Sequence, residues 1–283
     1  MLLGFHANVS GMNYNSEILD VVSNNLSNTD TSGFRRSLSV IRSREEHDNS
    51  KWVDSDARER LPGFHGVQRT GIYKIYKDTG KLQETGNSMD VAIPPELQNA
   101  FFAVKRNDGD PNTYYTRNGT LSFGLQDISN PNSPNVLYLG GHLALDDGNQ
   151  AIEIDPSFGE LSIGADGQVM QGETAIAELP IYRMNKSPDP NVQQSANLQL
   201  LNQMGDSLFR IPPESRQEFN PFRIEIGNGI NRVLVQGMRE SSNVNPMSEL
   251  VHMMEATKSY SSNASAIERQ MGGLEKLFEL VRR

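Results

Sequence analysis

Cysteine is absent from the 283 residues, which excludes a disulfide scaffold, a thiolate nucleophile and any Cys-based zinc or iron–sulfur site. Apolar residues are scarce at 36%, aromatics make up 7%, and the mean hydropathy is −0.54. The core is therefore thin for the length, and part of the chain is expected to fold only when something packs against it. No segment approaches the ~20 consecutive apolar residues that span a bilayer, so no membrane insertion is expected. Basic residues number 26 against 35 acidic, a formal charge of −9. Without a basic cluster there is no surface for phosphate neutralisation, which argues against nucleic-acid binding. The first ten residues carry no basic n-region and too short an apolar run for a cleaved secretory signal. A cytoplasmic protein fits, and so does one exported by a route that reads no cleaved signal.

The two ends of the chain differ in kind from the middle. Near the N-terminus Phe5, Val9, Met12, Leu19, Val22 and Leu26 recur in steps of four and three with one of seven, a helical period with a narrow seam. The spacing predicts a helix over about 4–28, ended by the polar run Asn28 to Ser32 and by Gly33, which can take positive φ. At the other end Leu250, Met253, Thr257, Tyr260, Ala264, Ile267, Met271, Leu274, Phe278 and Val281 alternate steps of three and four. That is a coiled-coil pattern. Met247, Val251 and Met254 widen its start, Asn245 suits an N-cap and Pro246 the first helical position. Gly272-Gly273 runs against the pattern and costs about 2 kcal/mol relative to Ala in a helix interior. An ordinary core helix would also carry such a stripe. Two seams at opposite ends, neither with a core of its own, instead suggest a terminal helix pair.

Between the ends, roughly 67–183 reads as short strands separated by Gly, Asn, Asp and Pro clusters. Residues 161–170 form the clearest hairpin, with Asp166-Gly167 placed for a tight turn. The fold class is α+β: long N- and C-terminal helices forming a coiled-coil-like terminal domain, and a central, mainly antiparallel β domain. We divide the chain into 1–40 (N-terminal helix and loop), 41–66 (a charged extended segment), 67–224 (central β domain) and 225–283 (β connection and C-terminal helix). A loose Pro-, Asn- and Ser-rich stretch covers 185–197.

Three ordered motif groups carry a family resemblance over nearly the whole chain. Asn24-Asn25-Leu26-Ser27-Asn28 through Gly33-Phe34-Arg35, and Gly237 through Asn245 with its Ser242-Asn243-Val244, resemble the terminal signatures of bacterial flagellar rod and hook proteins. Gly80-Lys81-Leu82, Thr85-Gly86-Asn87, Asp90-Val91-Ala92-Ile93, Tyr115-Thr116-Arg117-Asn118-Gly119 and Ala165-Asp166-Gly167 follow in the order expected of the middle domain. Met238-Arg239-Glu240, Thr257 to Tyr260 and Gly272-Gly273 depart from the family's usual residues. The length suits a rod subunit better than a full-size hook subunit. Gly33-Phe34-Arg35, the Tyr115 to Gly119 motif and Ser242 to Pro246 look more like a proximal than a distal rod subunit, while segment 43–66 resembles a distal rod's extension.

The resemblance implies a non-enzymatic, cofactor-free structural subunit of the basal-body rod. It would self-assemble into a helical tube that transmits motor torque to the hook. Its partners would be other copies of itself, neighbouring rod and hook subunits and the flagellar export apparatus; its place would be the periplasmic rod, reached without a cleaved signal. Leu19, Val22 and Leu26 would pack with Leu250, Met253, Met254, Tyr260, Ile267, Met271, Leu274 and Phe278 in the inner tube. Asn24, Asn25 and Asn28 would hydrogen-bond at the helix end, where simple helix termination explains each equally well. Gly33, Phe34, Ser242, Asn243 and Val244 complete the expected assembly residues.

Other chemistry has weaker local support. Asp146-Asp147-Gly148-Asn149 lacks the ligand ladder of an EF-hand and reads as a turn, and Gly227-Asn228-Gly229 lacks the Lys-Ser/Thr of a phosphate loop. Glu45-Glu46-His47-Asp48 and the His252/Glu255 pair fall short of metal motifs, so no metal is expected. A peptidoglycan-acting enzyme with two carboxylates distant in sequence, and a secreted protein forming a closed coiled-coil dimer or trimer, are the readings from other classes.

Overall fold

A computed structural model describes all residues except 1, 44–66, 108, 128–129, 131–132, 156, 158, 187–195, 206, 225–231 and 283. Most of segment 41–66, the Glu45 to Asp48 cluster, Gly227-Asn228-Gly229 and most of the stretch 185–197 lie outside the described residues. The chain divides into two compact units: Met1–Ser27 with Ser37–Lys74 and Asn245–Arg283, and Asn28–Arg36 with Ile75–Val244.

The first unit holds α1 (Leu2–Ser27), α2 (Pro246–Val281) and an antiparallel ribbon of strands Ser37–Ser43 and Val67–Lys74, bulged between Val40 and Ile41. The Asn245 side chain accepts hydrogen bonds from the backbone N–H groups of Met247 (3.1 Å) and Ser248 (3.3 Å), satisfying two of the donors a helix leaves open at its start. Gly272 and Gly273 lie inside α2, and a Cβ on either would meet open space.

The helices run antiparallel. The polar pairs Asn15 Nδ2 to Ser259 Oγ (3.1 Å) and Asn25 Nδ2 to Glu249 Oε2 (3.1 Å) join them. Gly11 and Gly4 admit the side-chain amides of Asn263 and Gln270, to which an added Cβ would come within 2.8 and 3.1 Å. From Gly4 to Gly11, Asn15 and Asn25 the partner on α2 moves back by the same number of residues as α1 advances, so one register holds throughout. On α2 the face toward α1 therefore carries Glu249, Ala256, Asn263 and Gln270 at seven-residue spacing, a polar and small-residue line rather than the most apolar one.

The second unit is β-rich, and every described pairing is antiparallel. Its ten-stranded sheet centres on Ala100–Lys105, which pairs with His142–Ala144, Tyr114–Thr116 and Ile181–Asn185. Because side chains alternate along a strand, Phe102 and Val104 point into one apolar cluster with Leu137, Leu139 and Val169, while Phe101 points into another with Tyr76, Met184 and Phe209. Both faces of that strand are covered, which explains why its apolar residues run continuously instead of alternating. Leu161–Ile163, Gln168–Gln171 and Thr174–Glu178 form a three-stranded sheet. Its first hairpin turns at Asp166-Gly167, with Gly167 at φ +91° and the Gly164 N–H bonded to the Gln168 carbonyl at 2.8 Å. Two short ribbons pair Val91–Ala92 with Val235–Gln236 and Leu82–Glu84 with Met238–Glu240.

Candidate functional site

The terminal motifs and the middle-domain motifs meet at one carboxylate. Glu240, at the end of the Met238–Glu240 strand, accepts from Arg35 Nη1 at 2.6 Å, from Arg117 Nε at 2.7 Å and from the backbone N–H of Gly80 at 3.1 Å. The three charged side chains are buried, and Arg35 and Arg117 are the bulkiest fully buried residues among those described. Arg117 also donates to the carbonyls of Leu97 (2.8 Å) and Ala100 (2.7 Å). Burial pulls its guanidinium down to about 10, against the opposing pull of Glu240; it stays charged at neutral pH. The backbone of the same residue is held as well, with the Gly33 N–H donating to the Glu240 main-chain carbonyl at 3.0 Å.

The glycines of these motifs are required by the closeness of the chain segments. Gly33 adopts φ +68°, and a Cβ there would lie 2.7 Å from the Arg117 carbonyl carbon. A Cβ at Gly80 would fall 1.6 Å from the Ser241 carbonyl oxygen, and one at Gly119 would fall 1.6 Å from that of Val91. Asn243 completes the stitching: its Oδ1 accepts from the Arg36 N–H at 2.6 Å, and its Nδ2 donates to the carbonyls of Ile75 (3.0 Å) and Asp78 (2.7 Å). Its sequence neighbours Ser242 and Val244 are buried, as are Gly33 and Phe34 in the strap Asn28–Arg36, which Asn28 opens by accepting the Thr31 N–H. Arg35, Arg117, Glu240, Gly80 and Gly119 were not among the residues expected from the period of the terminal seams. The signal available was two arginines and one glutamate placed in three separate motif groups.

In the helical unit Asn25 acts as a strand mimic. It accepts the Ser37 N–H at 2.8 Å, donates to the Ser37 carbonyl at 2.9 Å and also donates to buried Glu249. Val22 is buried, Leu19 and Leu26 are half-buried, and Asn24 is exposed. On α2, Met253, Ile267 and Leu274 are half-buried, whereas Leu250, Met254, Tyr260, Met271 and Phe278 are exposed. Beyond the Gly4–Gln270 contact roughly three turns of α2 remain, and they carry exposed Met271, Leu277, Phe278 and Leu280. Large apolar side chains grouped on open helix faces mark surfaces made to be covered.

Asp146 lies in a turn, its carboxylate accepting the Gln150 N–H at 2.8 Å, and Asp147 pairs with Arg223 at 3.2 Å. His252 and Glu255 stand 3.6 Å apart on the exposed side of α2. Among the described residues no group of three or more His, Cys, Asp or Glu is arranged to hold a metal, and no helix is long and apolar enough to cross a membrane.

Comparison with known proteins matches both motif-bearing ends. Residues 5–35 match the family model described as flagella basal body rod protein, and residues 235–277 match the C-terminal model of the flagellar basal body rod FlgEFG proteins. The flagellar basal-body rod protein FlgG of Buchnera aphidicola subsp. Schizaphis graminum is 31% identical over 276 residues, covering 93% of each chain. The rod protein FlgF of Caulobacter vibrioides is 29% identical over 251 residues, 88% of this chain and 86% of that one. The flagellar hook-basal body complex protein FlhP of Bacillus subtilis is 28% identical over 274 residues, 93% of this chain and 94% of that one. With both terminal segments matched and a relative above 30% identity along nearly its full length, the chain belongs to the flagellar basal-body rod protein family.

Proposed function

We propose that this protein is a structural subunit of the bacterial flagellar basal-body rod, assembling with copies of itself and neighbouring rod and hook subunits into a helical tube that carries motor torque to the hook. The single observation that carries this reading is the set of apolar side chains left exposed along α2 after α1 has packed on it. Burying such a side chain fully contributes about 1.5–3 kcal/mol, which neighbouring subunits supply in the assembled rod. Contacts between unlike patches that do not close into a ring build an open helical filament. The two terminal helices form the coiled-coil-like inner tube in this reading. The β-rich unit, held by buried charges and close-approaching glycines, is the stiff body through which load passes.

The finer proposals follow from the same reading: no catalytic role, export without a cleaved signal through the flagellar apparatus, and a proximal position, favoured by Gly33-Phe34-Arg35 and Ser242 to Pro246. The experiment is removal of residues 245–283. The truncated chain should stay soluble and folded, because the β-rich unit ends at Val244, and should no longer polymerise in sedimentation assays or restore swimming to cells lacking their own copy. A truncated chain that still builds rods refutes the proposal. A full-length chain that saturates as a small closed oligomer in ultracentrifugation would favour the dimer or trimer reading.

A further inference from the structure

We infer that Met247 and Met254 form an oxidative modification site that switches the unassembled subunit off, an inference that rests on the rod reading above. The residues at the start of α2 are unevenly distributed around the helix. Met247, Leu250, Val251 and Met254 fall at i, i+3, i+4 and i+7, the spacing of a single face two turns long. Glu249 and Ala256, on the other side, are the buried positions. The apolar face ends where it began to form a stripe, because Lys258, Ser261 and Ser262 continue it in polar residues. It is a discrete patch with a methionine at each end.

Those two methionines are the most exposed among the described residues, at 73% and 64%, against 48% for Met271, 38% for Met204 and 0% for Met184 in the β-rich unit. Cysteine is absent, so no thiol in the chain competes for an oxidant, and the reactive sulfur atoms are thioethers. A peroxide reaches the exposed ones first. The thioether sulfur attacks one peroxide oxygen and the O–O bond breaks. Sulfur loses two electrons and becomes the sulfoxide, and hydrogen peroxide leaves as water. The product turns a flexible apolar side chain into a strongly polar one. A neighbouring subunit would then have to bury a sulfoxide where it would otherwise cover a thioether, which weakens docking on the order of tenfold per modified residue. Once the patch is covered the sulfur is shielded. Vulnerability is thus confined to the interval before assembly, and enzymatic reduction of the sulfoxides restores competence.

The test treats the purified full-length chain with graded hydrogen peroxide, quantifies sulfoxide at each methionine by peptide mass spectrometry and measures incorporation into rods. Met247 and Met254 should oxidise ahead of Met271 and Met204 and well ahead of Met184. At doses that modify these two before Met271 and Met204, assembly should fall at least tenfold and return after treatment with methionine sulfoxide reductases, and the double variant Met247→Leu, Met254→Leu should assemble at the same doses as well as untreated protein. Oxidation of the two no faster than Met271 and Met204, full assembly of the doubly oxidised chain, or equal sensitivity of the leucine variant each overturns the inference. A chain that fails to assemble before any oxidant is added overturns the rod reading instead, and the assembly step of the inference with it.

Discussion

Replacing Glu240 by alanine tests the buried charge network directly. The substitution removes the acceptor that holds Arg35 at 2.6 Å, Arg117 at 2.7 Å and the Gly80 N–H at 3.1 Å, and leaves two guanidinium groups with no solvent access. Removing one partner of a buried ion pair costs about 3–5 kcal/mol, because the stranded charge keeps its desolvation penalty and loses its attraction. In a unit of this size each kcal/mol lowers Tm by about 2–4 °C, so the loss should be roughly 6–20 °C. Glu240→Gln keeps the shape and one acceptor and should fall between. The triple change Arg35→Met, Glu240→Leu, Arg117→Met removes all three charges together and should recover most of the loss, since apolar replacement of a complete buried network is often neutral or better. Calorimetry of the full chain reads the transition, and hydrogen exchange over 28–36 and 75–244 assigns it to the β-rich unit. A Glu240→Ala chain within about 1 kcal/mol of the parent, the worth of an ordinary exposed pair, refutes the reasoning.

Asn25→Ala should cost about 2–3 kcal/mol by removing the two side-chain hydrogen bonds of the Ser37 backbone and one partner of Glu249, seen as faster exchange of the Ser37 amide; unchanged exchange would contradict the strand-mimic role. Gly80→Ala and Gly119→Ala should each cost about 3 kcal/mol or more, since the new methyl must displace backbone, and either variant with a normal Tm counts against the close packing described. Gly272→Ala and Gly273→Ala should each add about 1 kcal/mol to α2 in the free subunit, measurable as helicity by circular dichroism. Burial pushes Lys74 down from 10.5 to about 8. Between those values the unfolded chain binds more protons than the folded one, so stability should rise with pH across that window. Lys74→Met should abolish the rise in denaturant titrations; an unchanged profile would show another group responsible.

Much of the architecture was legible because it follows from local rules. The α1 period, the Asn245-Pro246 start of α2 and the Asp166-Gly167 hairpin depend on residues a few positions apart, and the structure places them within a residue or two of expectation. The face that α2 turns toward α1 was not legible. Apolar spacing draws attention to Leu250, Met253 and Tyr260, while the hydrogen bonds and glycine contacts to α1 fall on Glu249, Asn263 and Gln270, where Asn25, Gly11 and Gly4 face them. A helix with more than one usable face leaves the choice to its neighbour. The buried clasp escaped for a different reason. Arg35, Arg117 and Glu240 look like ordinary surface charges when read along the chain, and only the fold reveals that they share one site.

That clasp also sets an order of events for the chain as it is made. Arg35 and Arg117 reach Glu240 across separations of 205 and 123 residues, so neither arginine meets its partner until residue 240 has been made. Closing loops of that length is entropically unfavourable and slows the search. Until then two cationic side chains destined for the interior remain in water, and the strap from Asn28 to Arg36 has nothing to close onto. The β-rich unit therefore cannot reach its final form before residue 240 is there to close it.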